Sequence, residues 1–272
     1  MPNEIEKIFS RDNRRLAMAR KVRDGKDRER IFIEGRRLAG EALRSELVIE
    51  EAFVAEGFRD RELVERISQR MDRVSEISAR LFLSIADTDQ PQGIALIARR
   101  PTSPLSSIEA RLAENSLPVV VFLSRIGDPS NLGAVFRTAE AAGAAGVIIS
   151  PNSADAYSPK ASRAAMGASF RLAIVEETAL EDALDWANRK GIIPVATAAA
   201  TTQEYTELDW QKPRLIVFGS EAHGLDSGDL KLIGDAICIP LENSVESLNL
   251  AVSAGIILFE AKRQFDAGRV RA

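Results

Sequence analysis

The chain has 272 residues, of which 45% are hydrophobic and 28% charged, as expected for a globular protein of one or two domains. Its formal net charge of −4 excludes a protein that is basic over its whole surface. The basic residues are nevertheless concentrated, because the segment 7–37 contains 12 Lys or Arg against 5 Asp or Glu, a net charge of +7. This asymmetry predicts one basic working surface, although a solvated helix face laced with salt bridges explains the same charges without any function.

Cysteine and histidine each occur once, at Cys238 and His223. A single thiol excludes a disulfide framework, and one Cys with one His cannot form a Cys/His zinc site. No apolar run approaches the length of a membrane-spanning helix, and the first residues lack the apolar stretch of a secretory signal. We therefore expect a cytoplasmic protein with no metal and no membrane partner.

The first hundred residues alternate short apolar runs with helical patterns, which predicts a small α/β unit. Pro101, Pro104 and three serines then open a segment typical of a linker, with a short helical pattern in its middle. We predict a first domain at 1–100, a linker at 101–116 and a second domain at 117–272. In the first domain, strands are expected at 31–33, 50–55, 73–77 and 94–98, and helices at 35–43 and 60–70.

The second domain contains six short apolar runs with helical patterns between several of them. This alternation predicts a parallel sheet covered on both faces. Pro194 falls inside one run and predicts a strand end, an edge or a bulge. The expected strands are 119–123, 146–149, 172–175, 192–196, 215–218 and 236–239, and the expected helices are 131–145, 180–190 and 245–265.

Ligands of such sheets bind at the carboxyl ends of the strands, where three loops concentrate Gly, Asn, Ser and Glu: 124–133, 219–224 and 240–249. A dinucleotide fingerprint is absent, and Leu225 occupies the position that a phosphate-binding loop gives to lysine. A serine hydrolase is disfavoured because His223 has no accompanying nucleophile elbow. Gly219 and Gly224 allow a ligand to approach the main chain, although tight turns alone would explain either glycine.

The three loops are similar to the three signature motifs of the SpoU (TrmH-like) branch of the SPOUT RNA methyltransferases. The matching segments are DPSNLGAVFRTAEA from Asp128, LIVFGSEAHGL from Leu215 and IPLENSVESLNLAVSA from Ile239, in the order of the family. More loosely, GRRLAGEAL from Gly35 resembles the substrate-binding domain that often precedes this catalytic domain and is itself similar to RNA-binding ribosomal proteins.

The resemblance implies an α/β fold in which a parallel-sheet SPOUT domain with a trefoil knot follows a small RNA-binding domain. It also implies a homodimer with the site near the subunit interface. The implied activity is transfer of a methyl group from S-adenosylmethionine to a ribose 2'-hydroxyl of ribosomal or transfer RNA. Two alternatives stay open: a non-catalytic RNA-binding protein that retains the fold, and a base methyltransferase of the wider SPOUT group.

Carried over by position, the cofactor is expected at Thr197, Gly219, Ile239 and Leu248, mostly through main-chain atoms. The residues expected to serve the reaction are Arg137, Asn131, Glu221, Ser247 and Asn249. An arginine stays protonated in proteins, so for Arg137 a role in anchoring phosphate and stabilising charge stays open beside that of base. Glu221 is expected to accept a hydrogen bond from Asn131 or Arg137.

Ser247 and Asn249 are expected to position the ribose or to hold their loop, and capping of the last helix explains both equally well. The chain also departs from the family at two places in these motifs. Asn243 stands where glycine is frequent, and Ala222-His223 stands where Gly-Arg is frequent. Because Asn tolerates a positive φ, Asn243 is expected to be conformationally equivalent to glycine.

Overall fold

The computed structural model describes residues 5–71, 73–114, 117–243 and 245–270. The chain divides into two compact units. The first comprises Met1–Pro101 with Tyr157–Arg171, and the second comprises Thr102–Ala156 with Leu172–Ala272. The segment predicted as one domain at 117–272 thus contributes Tyr157–Arg171 to the first unit.

The described residues form eleven strands, ten α-helices and a short 3-10 helix at Ala168–Phe170, and the strands and α-helices are numbered in chain order. The strands are β1 Glu6–Ile8, β2 Arg30–Glu34, β3 Ile49–Ala55, β4 Val74–Ile77, β5 Ile94–Arg99, β6 Leu117–Leu123, β7 Ala144–Ile149, β8 Ile174–Val175, β9 Ile193–Thr197, β10 Arg214–Phe218 and β11 Ala236–Ile237. The helices are α1 Arg14–Arg23, α2 Arg36–Arg44, α3 Arg61–Arg70, α4 Ala79–Ile85, α5 Leu105–Ala113, α6 Pro129–Ala142, α7 Pro159–Ala165, α8 Leu180–Arg189, α9 Ser227–Ile233 and α10 Leu250–Arg269.

The first unit is built on a five-stranded sheet in the order β1-β4-β3-β5-β2. Strand β5 is antiparallel to both of its neighbours, and the other pairs are parallel. Side chains alternate between the two faces of the sheet. Phe53 and Ile97 join the core cluster of α1 and α4, so Val54 and Leu96, which are also buried, face the opposite side, where α2 packs on β2 and β5.

The strands and helices predicted for the first unit are present, with bounds that shift by at most one residue. The prediction missed β1, α1, α4 and α7. Helix α1 begins after Asn13, whose side chain accepts from the Arg15 N–H at 2.9 Å. Its buried residues are Leu16, Ala19 and Val22, a narrow stripe in a strongly basic segment, which explains why the apolar pattern was weak.

The second unit contains a six-stranded sheet in the order β11-β9-β10-β6-β7-β8, and all of its strand pairs are parallel. This confirms the predicted parallel sheet. Pro194 lies in β9 opposite Leu215 of β10, whereas pairing with β11 starts only at Ala196. The proline therefore occupies an open edge, where its missing N–H costs no ladder hydrogen bond. None of the helices that the structure describes is long and apolar enough to cross a membrane.

Two helices of the second unit have bounds that correct the prediction. Helix α6 starts at Pro129 rather than 131, because the Asp128 side chain accepts from the Ser130 N–H at 3.0 Å, and it ends before Gly143 in a left-handed conformation. Helix α10 starts at Leu250 rather than 245 and continues to Arg269. Helix α5 lies inside the stretch predicted as a linker, and α9 was not predicted.

Candidate functional site

A cavity of about 690 Å³ opens in the second unit at the carboxyl ends of the parallel strands. This volume is typical of sites for small organic ligands, which span about 300–1,000 Å³. Its walls come from the start of α6 and from the loops that follow β9, β10 and β11. Eight of the nine predicted site residues line it: Asn131, Thr197, Gly219, Glu221, Ile239, Ser247, Leu248 and Asn249.

One wall of the cavity is formed by two main-chain segments that lie in close contact with each other. The N–H of Gly224 donates to the carbonyl of Ser220 at 2.8 Å, and the N–H of Ser220 donates back to Gly224 at 3.2 Å. A Cβ placed on Gly219 would lie 2.1 Å from the carbonyl carbon of Gly224. Only glycine fits at that point, so the conformation of the loop requires a glycine at position 219. Because this residue has no side chain, peptide groups lie directly beside the cavity.

Another part of the cavity wall follows the end of β9. The hydroxyl of Thr197 donates to the carbonyl of Val217 at 3.1 Å and so ties β9 to β10. The N–H of Ala198 donates to the carbonyl of Ile237 at 3.0 Å, after which two further alanines line the cavity. Small side chains and peptide edges of this kind can hold an adenine ring or an amino-acid group without a metal ion.

A chain of side-chain hydrogen bonds joins the three motifs at the mouth of the cavity. Asn131 donates from Nδ2 to Oε1 of Glu221 at 2.9 Å. Asn249 donates from Nδ2 to Oδ1 of Asn131 at 3.0 Å. We call Glu221, Asn131 and Asn249 the polar triad. Asn131 uses both ends of its amide, donating to Glu221 and accepting from Asn249, so the orientation of all three side chains is fixed along the chain of bonds.

Glu221 anchors the polar triad to the backbone before α6. Its carboxylate also accepts from the N–H of Gly127 at 3.3 Å and from the N–H of Asp128 at 3.4 Å. Partial burial raises the pKa of Glu221, but the hydrogen bonds from Asn131 and from backbone N–H groups outweigh it, so the net pKa lies below the usual 4.5. The Glu221 carboxylate is therefore ionised at neutral pH, so it accepts hydrogen bonds and has no proton to donate.

Asn249 has two functions at once. Its Oδ1 accepts from the N–H of Ala251 at 2.9 Å and caps α10, while its Nδ2 serves the polar triad. Ser247, two residues earlier, is exposed and makes no hydrogen bond with any residue that the structure describes. Of the two predicted roles, Asn249 thus fills the capping role, and the hydroxyl of Ser247 is available to a ligand.

Arg137 is the predicted residue that the structure does not bring to the cavity. It lies six residues beyond Asn131, on the exposed surface of α6. Among the described residues it has no ion-pair or hydrogen-bond partner, and the cavity lining does not include it. The expectation that Glu221 accepts from either Asn131 or Arg137 is therefore met by Asn131.

Sequence reasoning also passed over residues at this site. Glu246 and Ser253 line the cavity, as do His223 and Cys238. The position of Glu246 next to Ser247 was an available signal, and Ser253 lies one helical turn beyond Asn249. Asn243 has a φ of 55°, which confirms that it takes the conformation expected where glycine is frequent. In the part of the chain that is described, no group of three or more His, Cys, Asp or Glu could hold a metal ion.

Two family models match segments of this chain. Residues 118–259 match the SpoU rRNA methylase family, and residues 12–96 match an MRM3-like substrate-binding domain. A 23S rRNA (guanosine-2'-O-)-methyltransferase of Vibrio cholerae, RlmB, is 32% identical over 80% of this chain and 90% of its own length. A 23S rRNA guanosine 2'-O-methyltransferase of Bacillus subtilis, RlmP, is 28% identical over 95% of this chain and all of its own, 100%.

A similar fold is known from a crystal structure. The S-adenosylmethionine-bound rRNA methyltransferase of Sinorhizobium meliloti superposes with a TM-score of 0.81 at 30% identity, over 95% of this chain and 98% of that one. The match to the family model covers the motifs that build the cavity and the polar triad. The resemblance inferred from the sequence is confirmed: this chain belongs to the SpoU rRNA methylase family.

Proposed function

We propose that this chain transfers the methyl group of S-adenosylmethionine to a ribose 2'-hydroxyl of ribosomal RNA. The observation that carries the proposal is the polar triad, which joins all three family motifs at the mouth of a cavity walled by peptide groups. The relatives reported above are named as 2'-O-methyltransferases, and the solved rRNA methyltransferase holds the same cofactor.

The cavity fits the cofactor in size and chemistry. Gly219 permits the main chain to form one wall, and Thr197, Ile239 and Leu248 contribute to the rest of the lining. When bound, S-adenosylmethionine supplies an electrophilic methyl group. The peptide edges around Gly219 hold the polar ends of such a ligand, and the side chains of Ile239 and Leu248 cover its flat apolar parts. Glu246 offers a carboxylate to a cationic amino group.

The remaining residues act on the RNA. Asn131 and Asn249 are oriented by the polar triad, and together with the hydroxyl of Ser247 they position the ribose at the cavity mouth. Arg137 is exposed and outside the cavity lining, so we assign it to the RNA that arrives from solvent. Its guanidinium anchors a phosphate and stabilises negative charge that develops on the 2'-oxygen.

Ribosomal rather than transfer RNA is supported by the relatives. Both of the relatives reported above are named for 23S rRNA, and their alignments cover at least 80% of this chain. The first unit also matches a substrate-binding domain. The two alternative functions predict different results. A non-catalytic RNA-binding protein does not need an intact polar triad, and a base methyltransferase would leave the ribose unmodified.

We further propose a homodimer with a trefoil knot in each catalytic unit, acting in the cytoplasm. The dimer is supported by exposed apolar residues on α10, where Val252 is 50% and Phe259 49% exposed. Seven residues are close to two helical turns, so the two side chains share a face. Helix α10 packs against α6, which carries Arg137, and a second copy docked there would lie near the site.

The test uses the purified protein, labelled S-adenosylmethionine, and ribosomal and transfer RNA pools from cells that lack the enzyme. We expect label in 2'-O-methylated nucleosides from ribosomal RNA after complete digestion. Label in transfer RNA would overturn the assignment of the RNA, and label on a base would overturn the ribose. If no RNA is labelled and calorimetry detects no binding of S-adenosylmethionine, the chain is a non-catalytic binder.

A further inference from the structure

The first unit contains a groove of about 450 Å³ between α2 and α3. Four arginines line it, Arg36, Arg37, Arg44 and Arg66, against two acidic residues, Asp60 and Glu62. The groove is open to solvent, and all four arginines are exposed. A positive groove of this size fits a phosphodiester backbone better than a neutral small molecule.

Two of these charges hold the groove together. Arg36 pairs with Asp60, whose carboxylate also accepts from the N–H of Leu63 at 3.1 Å and caps α3. The backbone bond from Leu63 and the nearby guanidinium groups of Arg36 and Arg66 hold the pKa of Asp60 below its usual value. The pair therefore joins the start of α2 to the start of α3 and fixes the shape of the groove.

The other three arginines are available to a ligand to different degrees. Arg37 and Arg66 form no hydrogen bond or ion pair with any of the described residues, although both line the groove. Arg44 pairs with Glu41 on its own helix and stays exposed. Glu41 is also bonded to Arg171, so it keeps an ion-pair partner when Arg44 turns to a ligand. The groove thus presents three guanidinium groups to solvent, and none of them is needed to hold its walls.

Over most of the basic segment 7–37, in contrast to the groove, the basic side chains are bonded to other groups of the first unit. Arg15 pairs with Glu6 and with the buried Glu51, and Arg30 pairs with Asp27 and Glu50. Arg23 donates to the carbonyls of Ser84 and Ala86. Much of this charge is therefore used inside the unit. It also lies with α1 on the sheet face opposite α2, so the net charge of +7 does not form a single surface.

We propose that the α2–α3 groove, through Arg37, Arg44 and Arg66, is where the first unit holds the backbone of its RNA. Guanidinium groups bind phosphate oxygens in a bidentate manner. The contacts are independent of sequence and set the position of the RNA, while the cavity of the second unit contains the methyl-transfer site. The RNA as partner rests on the proposed function, whereas the location of its backbone rests on the groove.

The test compares two triple variants of the full-length protein with equal loss of charge. Arg37→Ala/Arg44→Ala/Arg66→Ala removes the groove charges, and Arg14→Ala/Lys21→Ala/Arg28→Ala removes exposed charges from the α1 side. Binding to a 23S ribosomal RNA transcript is measured as a function of salt. The groove variant should bind roughly tenfold or more weakly, and the slope of log affinity against log salt should fall by about one per lost contact.

The α1-side variant should keep most of the wild-type affinity and nearly the wild-type slope of log affinity against log salt. Equal losses in both variants, or a larger loss in the α1-side variant, would overturn the inference. A double variant, Arg37→Ala/Arg66→Ala, leaves the Arg44–Glu41 pair intact and should show about two thirds of the change in slope, which guards against misfolding of the triple variant. Methyl transfer by the groove variant should recover at saturating RNA. If the wild type transfers no methyl group, the proposed function fails, and the binding comparison still decides the groove.

Discussion

Arg137 is an exposed cation on α6 that takes no part in the polar triad of Glu221, Asn131 and Asn249. We assign Arg137 to binding the RNA and to stabilising the negative charge that develops during transfer. Arg137→Ala should therefore lower the maximal rate of methyl transfer by about a hundredfold or more. The affinity for S-adenosylmethionine should not change, because Arg137 does not line the cavity. Single-turnover methyl transfer and calorimetry separate the two effects.

Arg189→Ala is the matched control for Arg137, because Arg189 is an exposed arginine of the same unit at the end of α8. It should leave both the rate and the cofactor affinity unchanged. Arg137→Lys keeps the positive charge and loses the forked geometry, so partial activity is expected. Full turnover by Arg137→Ala would refute the assignment, and a rate in Arg137→Lys that rises with pH would favour a role as base.

Glu221 is held in its carboxylate form by the donors that converge on it. Glu221→Gln replaces one acceptor oxygen by an NH₂ group that faces a backbone N–H or the amide of Asn131. Transfer should fall by about tenfold to a hundredfold, the effect of about 1.5–3 kcal/mol for a hydrogen bond to a charged group. If Glu221→Gln retains full turnover with an unchanged pH optimum, Glu221 does not orient Asn131.

The same substitution has a pH-dependent effect on stability. The pKa of Glu221 in the folded protein lies below 4.5, so its carboxylate stabilises the folded state fully above pH 4.5, and this contribution is lost as the pH falls below 4.5. Because the carboxylate is largely exposed, Glu221→Gln should cost no more than about 1 kcal/mol at neutral pH. Urea unfolding at neutral pH and at about pH 3.5 should show this difference shrinking in acid. A difference that grows in acid would contradict the assigned direction.

At the scale of elements, the residue that caps the start of α10, Asn249, also completes the polar triad. Asn249→Asp keeps an acceptor for the Ala251 N–H and loses the donor to Asn131. Because Asp and Asn cap helices about equally well, stability should stay within about 0.5 kcal/mol of the wild type. Methyl transfer should nevertheless fall by about tenfold or more, since Asn131 then meets a carboxylate where it needs a donor.

Asn249→Ala is the companion variant, because it removes the cap and the donor together. It should lower the free energy of unfolding by about 1 kcal/mol and reduce transfer at least as much as Asn249→Asp does. Urea unfolding and the transfer assay are measured on both. If Asn249→Asp keeps full turnover, Asn249 is only a cap, and the polar triad has no part in positioning the ribose.

At the scale of the whole molecule, the proposed homodimer depends on the outer face of α10. Phe259→Arg places a charge in the exposed apolar stripe that Phe259 forms with Val252, so sedimentation should show a monomer at concentrations where the wild type is a dimer. Methyl transfer should fall with it if the site needs the second copy. The matched control is Leu232→Arg on α9, where Leu232 is 54% exposed and outside the stripe. A wild type that sediments as a monomer would refute the dimer.

The sequence by itself determined the parallel sheet of the second unit, its three ligand-facing loops and the family. Continuous apolar strands and loop motifs are local patterns, so they can be read without knowing what packs against them. Pro194 even marked the open edge of β9. Helix ends were less certain, because caps such as Asp128 and Asn249 decide them through single hydrogen bonds.

Only the tertiary structure decided which predicted residues meet. Asn131 is 90 positions from Glu221 and 118 from Asn249, yet both bond to it, because β6 and β10 are neighbours and α10 packs on α6. The fold left Arg137 outside that network and divided the basic segment 7–37 between ion pairs and two faces of a sheet. Charge counted along a chain carries no information on which side of a sheet each residue lies, since that depends on the packing of the helices that carry them.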